Sequence, residues 1–241
     1  MEPQAYVDAL ERESRALAEA ADGHLEARVP SCPEWSVADL VWHTQEVHSF
    51  WEQVVGQQLQ DPRTAVVGPR PPVDLLVTAF RRGADRLARL LAEADPKATV
   101  WTWAPQRNVA FVQRRMAHES AVHRWDAQAA TAPPEPVEPA LAIDGIDEFL
   151  DFFVDDVKDG VGETDSYSVH LHATDSRGEW VARVRGRTTE VARAHAKGDV
   201  AVRGGASDLL LLLWRRLDPR HVEVLGDAAV LDRFLARPSL E

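Results

Sequence analysis

Thr131-Ala132-Pro133-Pro134-Glu135-Pro136-Val137-Glu138-Pro139 separates two parts of the chain that have different hydrophobic periods. Four prolines in nine residues remove backbone donors and fix φ, so no helix is expected to run through this stretch. A chain of 241 residues allows one large domain or two modest ones. The proline stretch favours two, with expected bounds of 1–135 and 136–241.

Upstream of it, apolar residues recur at helical spacing and strand signals are almost missing. A first helix is expected from Pro3 to Ala21, ending at Asp22-Gly23. A second opens with Ser36-Val37-Ala38-Asp39, a Ser-x-x-Asp capping pattern that follows the helix-stopping segment Pro30 to Pro33. Its apolar face is Val37, Leu40, Val41, Val47, Trp51, Val54 and Val55. A third starts after Pro71-Pro72, carries Leu76, Phe80, Ala84, Leu87 and Leu91 on one stripe, and stops before Pro96. A fourth can be capped by Asn108 and runs to about Ala130. Four such segments with short connections read as a four-helix bundle.

Downstream the period changes. After a helix expected from about Ala140 to Lys158, the segments 166–174, 179–187 and 199–204 alternate apolar and polar residues as half-buried strands do. A helix from Ser207 to Arg216, a strand from His221 to Leu225 and a helix from Asp227 to Arg237 complete a smaller α+β domain with a mainly antiparallel sheet. No internal repeat and no low-complexity tract is evident.

Composition narrows the function classes. With 45% hydrophobic and 27% charged residues the chain is of ordinary globular type, which excludes wholesale disorder. The 39 acidic residues against 27 Lys and Arg give a formal charge of −12, so a surface built to neutralise many phosphates is not expected. The one cysteine, Cys32, excludes an internal disulfide or a Cys-built zinc cluster and fits a reducing cytoplasm. In its proline-flanked turn it reads as a packed thiol, with no neighbouring His or basic residue to activate it. The longest apolar run, Leu209 to Trp214, is far too short for a membrane span, and the early acids of the N-terminus do not resemble a signal peptide.

Nine histidines make a metal site the first chemical question. Glu119 and His123, spaced i, i+4, project from neighbouring turns of one helix face. That spacing arises by chance in a chain this rich in Glu and His. The position matters more: the pair falls in the same sector as Val109, Val112, Met116 and Ala127, the stripe expected to face the bundle interior. A carboxylate is rarely buried without a partner or a metal. HExxH is absent, because Val122 stands where the second histidine would be. A third ligand would come from helix two, His43 first and His48 in reserve. Such an N and O set with open positions is the arrangement of a catalytic metal, zinc being favoured. The competing reading is a buried Glu and His bonded to each other and to a polar core group such as Trp51. His170 and His172 share a strand face with Ser168 and Thr174, which reads as solvated. His118 is expected on the far side of helix four, and His24, His195 and His221 on surfaces or loops.

Three segments carry a family resemblance: Cys32-Pro-Glu-Trp-Ser-Val-Ala-Asp-Leu-Val-Trp-His43, Arg115-Met-Ala-His-Glu119-Ser-Ala-Val-His123-Arg-Trp-Asp126-Ala, and Asp199 through Trp214-Arg-Arg to Asp227. Together they resemble the mycothiol-dependent maleylpyruvate isomerase-like proteins of actinobacteria. That family joins a DinB-like metal-binding four-helix bundle to a C-terminal domain similar to sterol carrier proteins. Glu34 departs from the family, which commonly has Gly there. The resemblance implies metal ligands at His43, Glu119 and His123. It also implies an arginine for the thiol cofactor or an acidic substrate at Arg216, with Arg215 beside it as the alternative. Asp126, one turn beyond His123, is a candidate to support that ligand, ion pairing with an arginine being its other reading.

What the resemblance implies chemically is a divalent metal, with zinc favoured, and mycothiol as thiol cosubstrate. The thiolate adds to a small, acidic electrophile; rotation and elimination give isomerisation, and release of the adduct gives S-transfer. A soluble cytoplasmic monomer or homodimer is expected, with neither nucleic acid nor membrane as partner. Two rivals share the same residues: a hydrolase with metal-activated water, and a non-enzymatic metal or small-ligand binding protein.

Overall fold

Helix starts in the first half coincide with residues that satisfy orphan backbone donors or dispense with them. Helix α1 spans Pro3–Ala21 with proline in its first turn. Helix α2 spans Val37–Gly56, and its capping box is complete: the Ser36 hydroxyl accepts from the Asp39 amide and the Asp39 carboxylate accepts from the Ser36 amide. Helix α3 covers Val73–Glu93 after Pro71-Pro72. Helix α4 covers Val109–Ala129, with Asn108 Oδ1 accepting from the Phe111 amide at 3.1 Å.

The computed structural model describes residues 1–157 and 162–240, and the chain separates into two units, Met1–Glu135 and Pro136–Glu241. In the first unit α1 packs on α4 and α3, and α2 packs on α3 and α4, which closes a four-helix ring. The predicted α3 stripe of Leu76, Phe80, Ala84, Leu87 and Leu91 is buried throughout.

Helix α4 departs from the one-sided expectation, since sixteen of its 21 residues are buried. Its second face is covered by α1: Arg124 Nε donates to Glu13 Oε2 at 2.7 Å, and His118 meets the Tyr6 ring edge-on. His118 therefore does lie away from Glu119, but inside protein. A short ribbon, β1 (Arg28–Val29) paired antiparallel with β2 (Cys32–Ser36), precedes α2. Two residues are too few for a periodic signal, so the segment reads in sequence only as a helix stop. Cys32 is half-buried against the bundle core, in line with a packed thiol.

The second unit opens with α5 (Pro139–Phe152), whose Glu138 carboxylate accepts from the amides of Ala140 and Leu141. This helix is shorter than expected, and Lys158, its expected end, lies outside the described residues. A five-stranded sheet follows, built from β3 (Ser166–Ala173), β4 (Glu179–Arg185), β5 (Thr188–Ala192), β6 (Val200–Gly204) and β7 (Glu223–Gly226). The strand order is β5-β4-β3-β6-β7, antiparallel except for the β3–β6 pair. Helices α6 (Ala206–Leu213) and α7 (Ala228–Ala236) pack on it, with α5 against α6. The fold is thus a four-helix bundle followed by an α+β domain with a mainly antiparallel sheet.

Two strand readings change. The run 179–187 is not one strand, because Gly186, at φ 58°, turns the chain back into β5. The face of β3 opposite Tyr167, Val169 and Leu171 is not simply solvated. There His170 is buried and shares Glu179 with His172 and with His195, a residue whose sequence context suggests no partner. No helix among the described residues is long and apolar enough to cross a membrane.

Candidate metal centre

Helix α2 carries His43 and helix α4 carries Glu119 and His123, and the packing of these two helices brings the three side chains together. His123 Nε2 lies 3.1 Å and His43 Nε2 3.5 Å from the same Glu119 oxygen, Oε1. One donor atom from each residue falls within 4.8 Å of the other two. His48, the reserve, is five residues farther along α2, about a turn and a half, and has another task. It is buried, its Nε2 bonds Ser120 Oγ at 3.0 Å, and its ring stacks on Phe80. Burial holds its pKa down to about 4, so it stays neutral.

The ring of His123 is oriented from behind. Its Nδ1 lies 3.0 Å from Asp126 Oδ2, and Ser31 donates to the other oxygen of that fully buried carboxylate at 2.5 Å. A carboxylate only accepts, so the proton sits on Nδ1 and Nε2 is turned to the shared point. Trp35 of β2 packs against the ring of His43, centroids 4.9 Å apart. Arg115, one turn before Glu119, binds its second oxygen, Oε2.

Charge follows from these contacts. Burial acts to raise the Glu119 pKa, but Arg115 and the two histidines outweigh it and hold the carboxyl well below its usual range. Burial acts to lower that of His123, but Glu119 and Asp126 raise it to about 9. With Nδ1 committed to Asp126, the Nε2 edge facing Glu119 needs either a second proton or a cation. The donor chemistry, two imidazole nitrogens and one carboxylate oxygen, fits a divalent ion with positions left open. Trp51 is not the polar partner of the pair; it lies among Phe50, Trp101 and Phe111.

Residues 7–128 match the family model described as "Mycothiol maleylpyruvate isomerase N-terminal domain", and residues 140–233 match "MDMPI C-terminal domain". The chain belongs to the mycothiol maleylpyruvate isomerase family. Two solved structures share the fold of this family member: mycothiol-dependent maleylpyruvate isomerase, at TM-score 0.64, and a histidine-to-alanine mutant of it, at 0.65. Each is 11% identical, with 93% of both chains covered. A comparison with curated protein sequences finds no match.

The two arginines of this family member differ. Arg215, at φ 59°, spends its guanidinium on the carbonyls of Leu235 and Pro238, at 2.7 and 2.6 Å. That clamps the segment from Leu235 to Pro238. Arg216 donates to the carbonyl of Trp214. Ser31, Trp35 and Arg115 join the site without having been singled out by the sequence. The i, i+4 spacing of Arg115 and Glu119 was a usable signal. Ser31 reaches Asp126 across 95 positions, and no local pattern announces it.

Proposed function

We propose that the chain is a metal-dependent enzyme that uses a low-molecular-weight thiol, mycothiol, in isomerisation or S-transfer on a small electrophile. The observation that carries this reading is the convergence of His43, Glu119 and His123 on one point, within a chain of this family. These three residues would hold the ion, zinc being favoured by the mixed imidazole and carboxylate donors. When bound, the ion supplies positive charge that favours the anionic form of a thiol brought to it.

The other residues prepare that chemistry. Asp126 holds one His123 proton on Nδ1, so the proton a cation would displace is the one on Nε2, the nitrogen that faces Glu119. Arg115 binds Oε2 of Glu119 and keeps the carboxylate ionised, leaving Oε1 for coordination. Trp35 restrains the His43 ring. With a divalent ion held by His43, Glu119 and His123 beside Arg115, positive charge would outweigh the carboxylates of Glu119 and Asp126, in a chain of net charge −12. That local field suits a thiolate and an acidic electrophile. Arg216 is the residue we assign to an acidic group of the thiol or substrate, on the family resemblance at this position; it donates to one backbone carbonyl, that of Trp214, whereas Arg215 bridges two, those of Leu235 and Pro238.

The test is elemental analysis of the purified protein, followed by a mycothiol consumption screen over small electrophiles on the same sample. Metal-dependent consumption of thiol, or thiol-dependent isomerisation, is the expected result. Turnover without any thiol would replace this reading by hydrolysis, and ligand binding without turnover would replace it by a binding role. His123→Ala should lower the metal content by about one ion per chain; an unchanged content would overturn the ligand assignment.

A further inference from the structure

We propose that His170, His172, His195 and Glu179 form a second metal site, a closed zinc-type site in the α+β unit that fastens the segment after β5 to the face of the sheet. It is separate in residues and in chemistry from the bundle centre, and it does not depend on the function proposed above.

The sheet builds most of the site. His170 and His172 lie two apart on β3 and so point to one face. In the β3–β4 register His172 stands directly opposite Glu179, which places that carboxylate on the same face. His195 follows β5, which pairs with the other edge of β4, and the chain returns there over Glu179. Three ring nitrogens therefore converge on one oxygen, Glu179 Oε1: His170 Nε2 at 2.8 Å, His172 Nδ1 at 3.0 Å and His195 Nδ1 at 2.5 Å. The His170 and His195 rings meet edge-on, 5.5 Å apart. One donor atom from each of the four residues lies within 4.8 Å of the other three.

A hydrogen-bond network accounts for this arrangement poorly. A carboxylate oxygen offers about two lone-pair sites, and three nitrogens compete for them here. A cation at the common point uses all four donors at once. In a tetrahedral site with bonds of about 2.0–2.1 Å, ligand atoms are spaced roughly 3.3 Å apart. The ligand atoms already lie within 4.8 Å of one another, so reaching that spacing changes no pair by more than about 1.5 Å, which rotation of the exposed His195 ring and the Glu179 side chain can supply. Three imidazoles and a carboxylate suit zinc first, then nickel or copper. Four protein ligands leave no vacant tetrahedral position, which is the mark of a structural ion.

Burial is graded in a way that suits loading from solvent. His170 is buried, His172 and Glu179 are half-buried, and His195 is exposed. His170 and His195 also line an open cavity of about 370 Å³, with Lys197 and Asp199 at its wall. An ion can enter there, and His195 closes over it.

The experiment uses the full chain carrying His123→Ala, stripped with chelator and then titrated with zinc ion alone. About one tightly held zinc per chain is expected to remain. Adding His195→Ala, an exposed position that threatens no core, should weaken that zinc at least about tenfold. Glu179→Gln should do the same, and zinc should slow tryptic cleavage after Arg193 and Lys197 only while His195 is present. Should His123→Ala fail to fold, wild type against His195→Ala decides the matter equally well, through the loss of about one ion per chain. The proposal is overturned if no zinc remains, or if the retained zinc is indifferent to His195→Ala and Glu179→Gln.

Discussion

His123 gives its Nδ1 to Asp126 at 3.0 Å, and that single contact decides which nitrogen of the ring faces Glu119 and His43. Asp126 is fully buried on the same helix and is itself held by Ser31. Asp126→Asn can present an amide N–H to Nδ1 and push the proton to the wrong nitrogen. Metal affinity should fall about 10–100-fold although His43, Glu119 and His123 are all retained. Competition with a chelator of known affinity reads this directly, and an unaltered affinity would remove Asp126 from the site.

The entry to α2 carries a pH signature. Hydrogen bonding from Ser36, with Arg70 contributing, lowers the Asp39 pKa to about 2. Because the folded value lies below the unfolded one of about 3.9, the stabilisation is fully present above that value and is lost as pH falls through about 2. Ser36→Ala should cost about 1 kcal/mol at neutral pH. Chemical unfolding from pH 7 to 2 should show the gap between variant and wild type narrowing in the acid range as Asp39 is protonated, with the part due to the Ser36 hydroxyl on the Asp39 amide remaining.

Phe80 is fully buried on α3 and stacks on His48 of α2. Phe80→Ala should cost about 3–5 kcal/mol through lost burial and the cavity left behind. The neutral His48 ring would then gain access to water, so its depressed pKa should move up toward the ordinary histidine value. Histidine proton titration by NMR checks the shift, and thermal unfolding checks the cost.

Arg215 and Arg216 should separate by readout. Arg215→Ala removes two charge-assisted bonds to the carbonyls of Leu235 and Pro238 and should destabilise the protein by about 1–3 kcal/mol while leaving the KM for thiol and electrophile unchanged. Arg216→Ala should raise KM and cost less stability than Arg215→Ala. An inverted pattern would move the anion-binding assignment to Arg215.

Much of the bundle was legible because its signals are local. Proline at Pro3, the Ser36-Asp39 pair, Pro71-Pro72 and Asn108 act within one helical turn, and α1 to α4 begin where those residues stand. The α3 stripe was legible for the same reason. The stripe on α4 was less informative than it looked, since α1 covers its other face and buries Arg124 and His118 as well. In the second unit the periods of β3, β4 and β6 were readable, but β5 was hidden behind Gly186. Of the histidine cluster only the shared face of His170 and His172 was readable, because the rest depends on which residue of β4 stands opposite His172.

Local chemistry along the chain is enough for the division at the proline stretch, the helix starts, and the placing of Glu119 with His123 on one face. These follow from backbone donors and helical spacing, which need no knowledge of partners. It took the packed chain to put His43 rather than His48 beside that pair, to anchor Asp126 on Ser31, and to join His195 with His170 and His172 at Glu179. Each of those depends on helix packing or strand register, where a shift of one residue turns a side chain to another face.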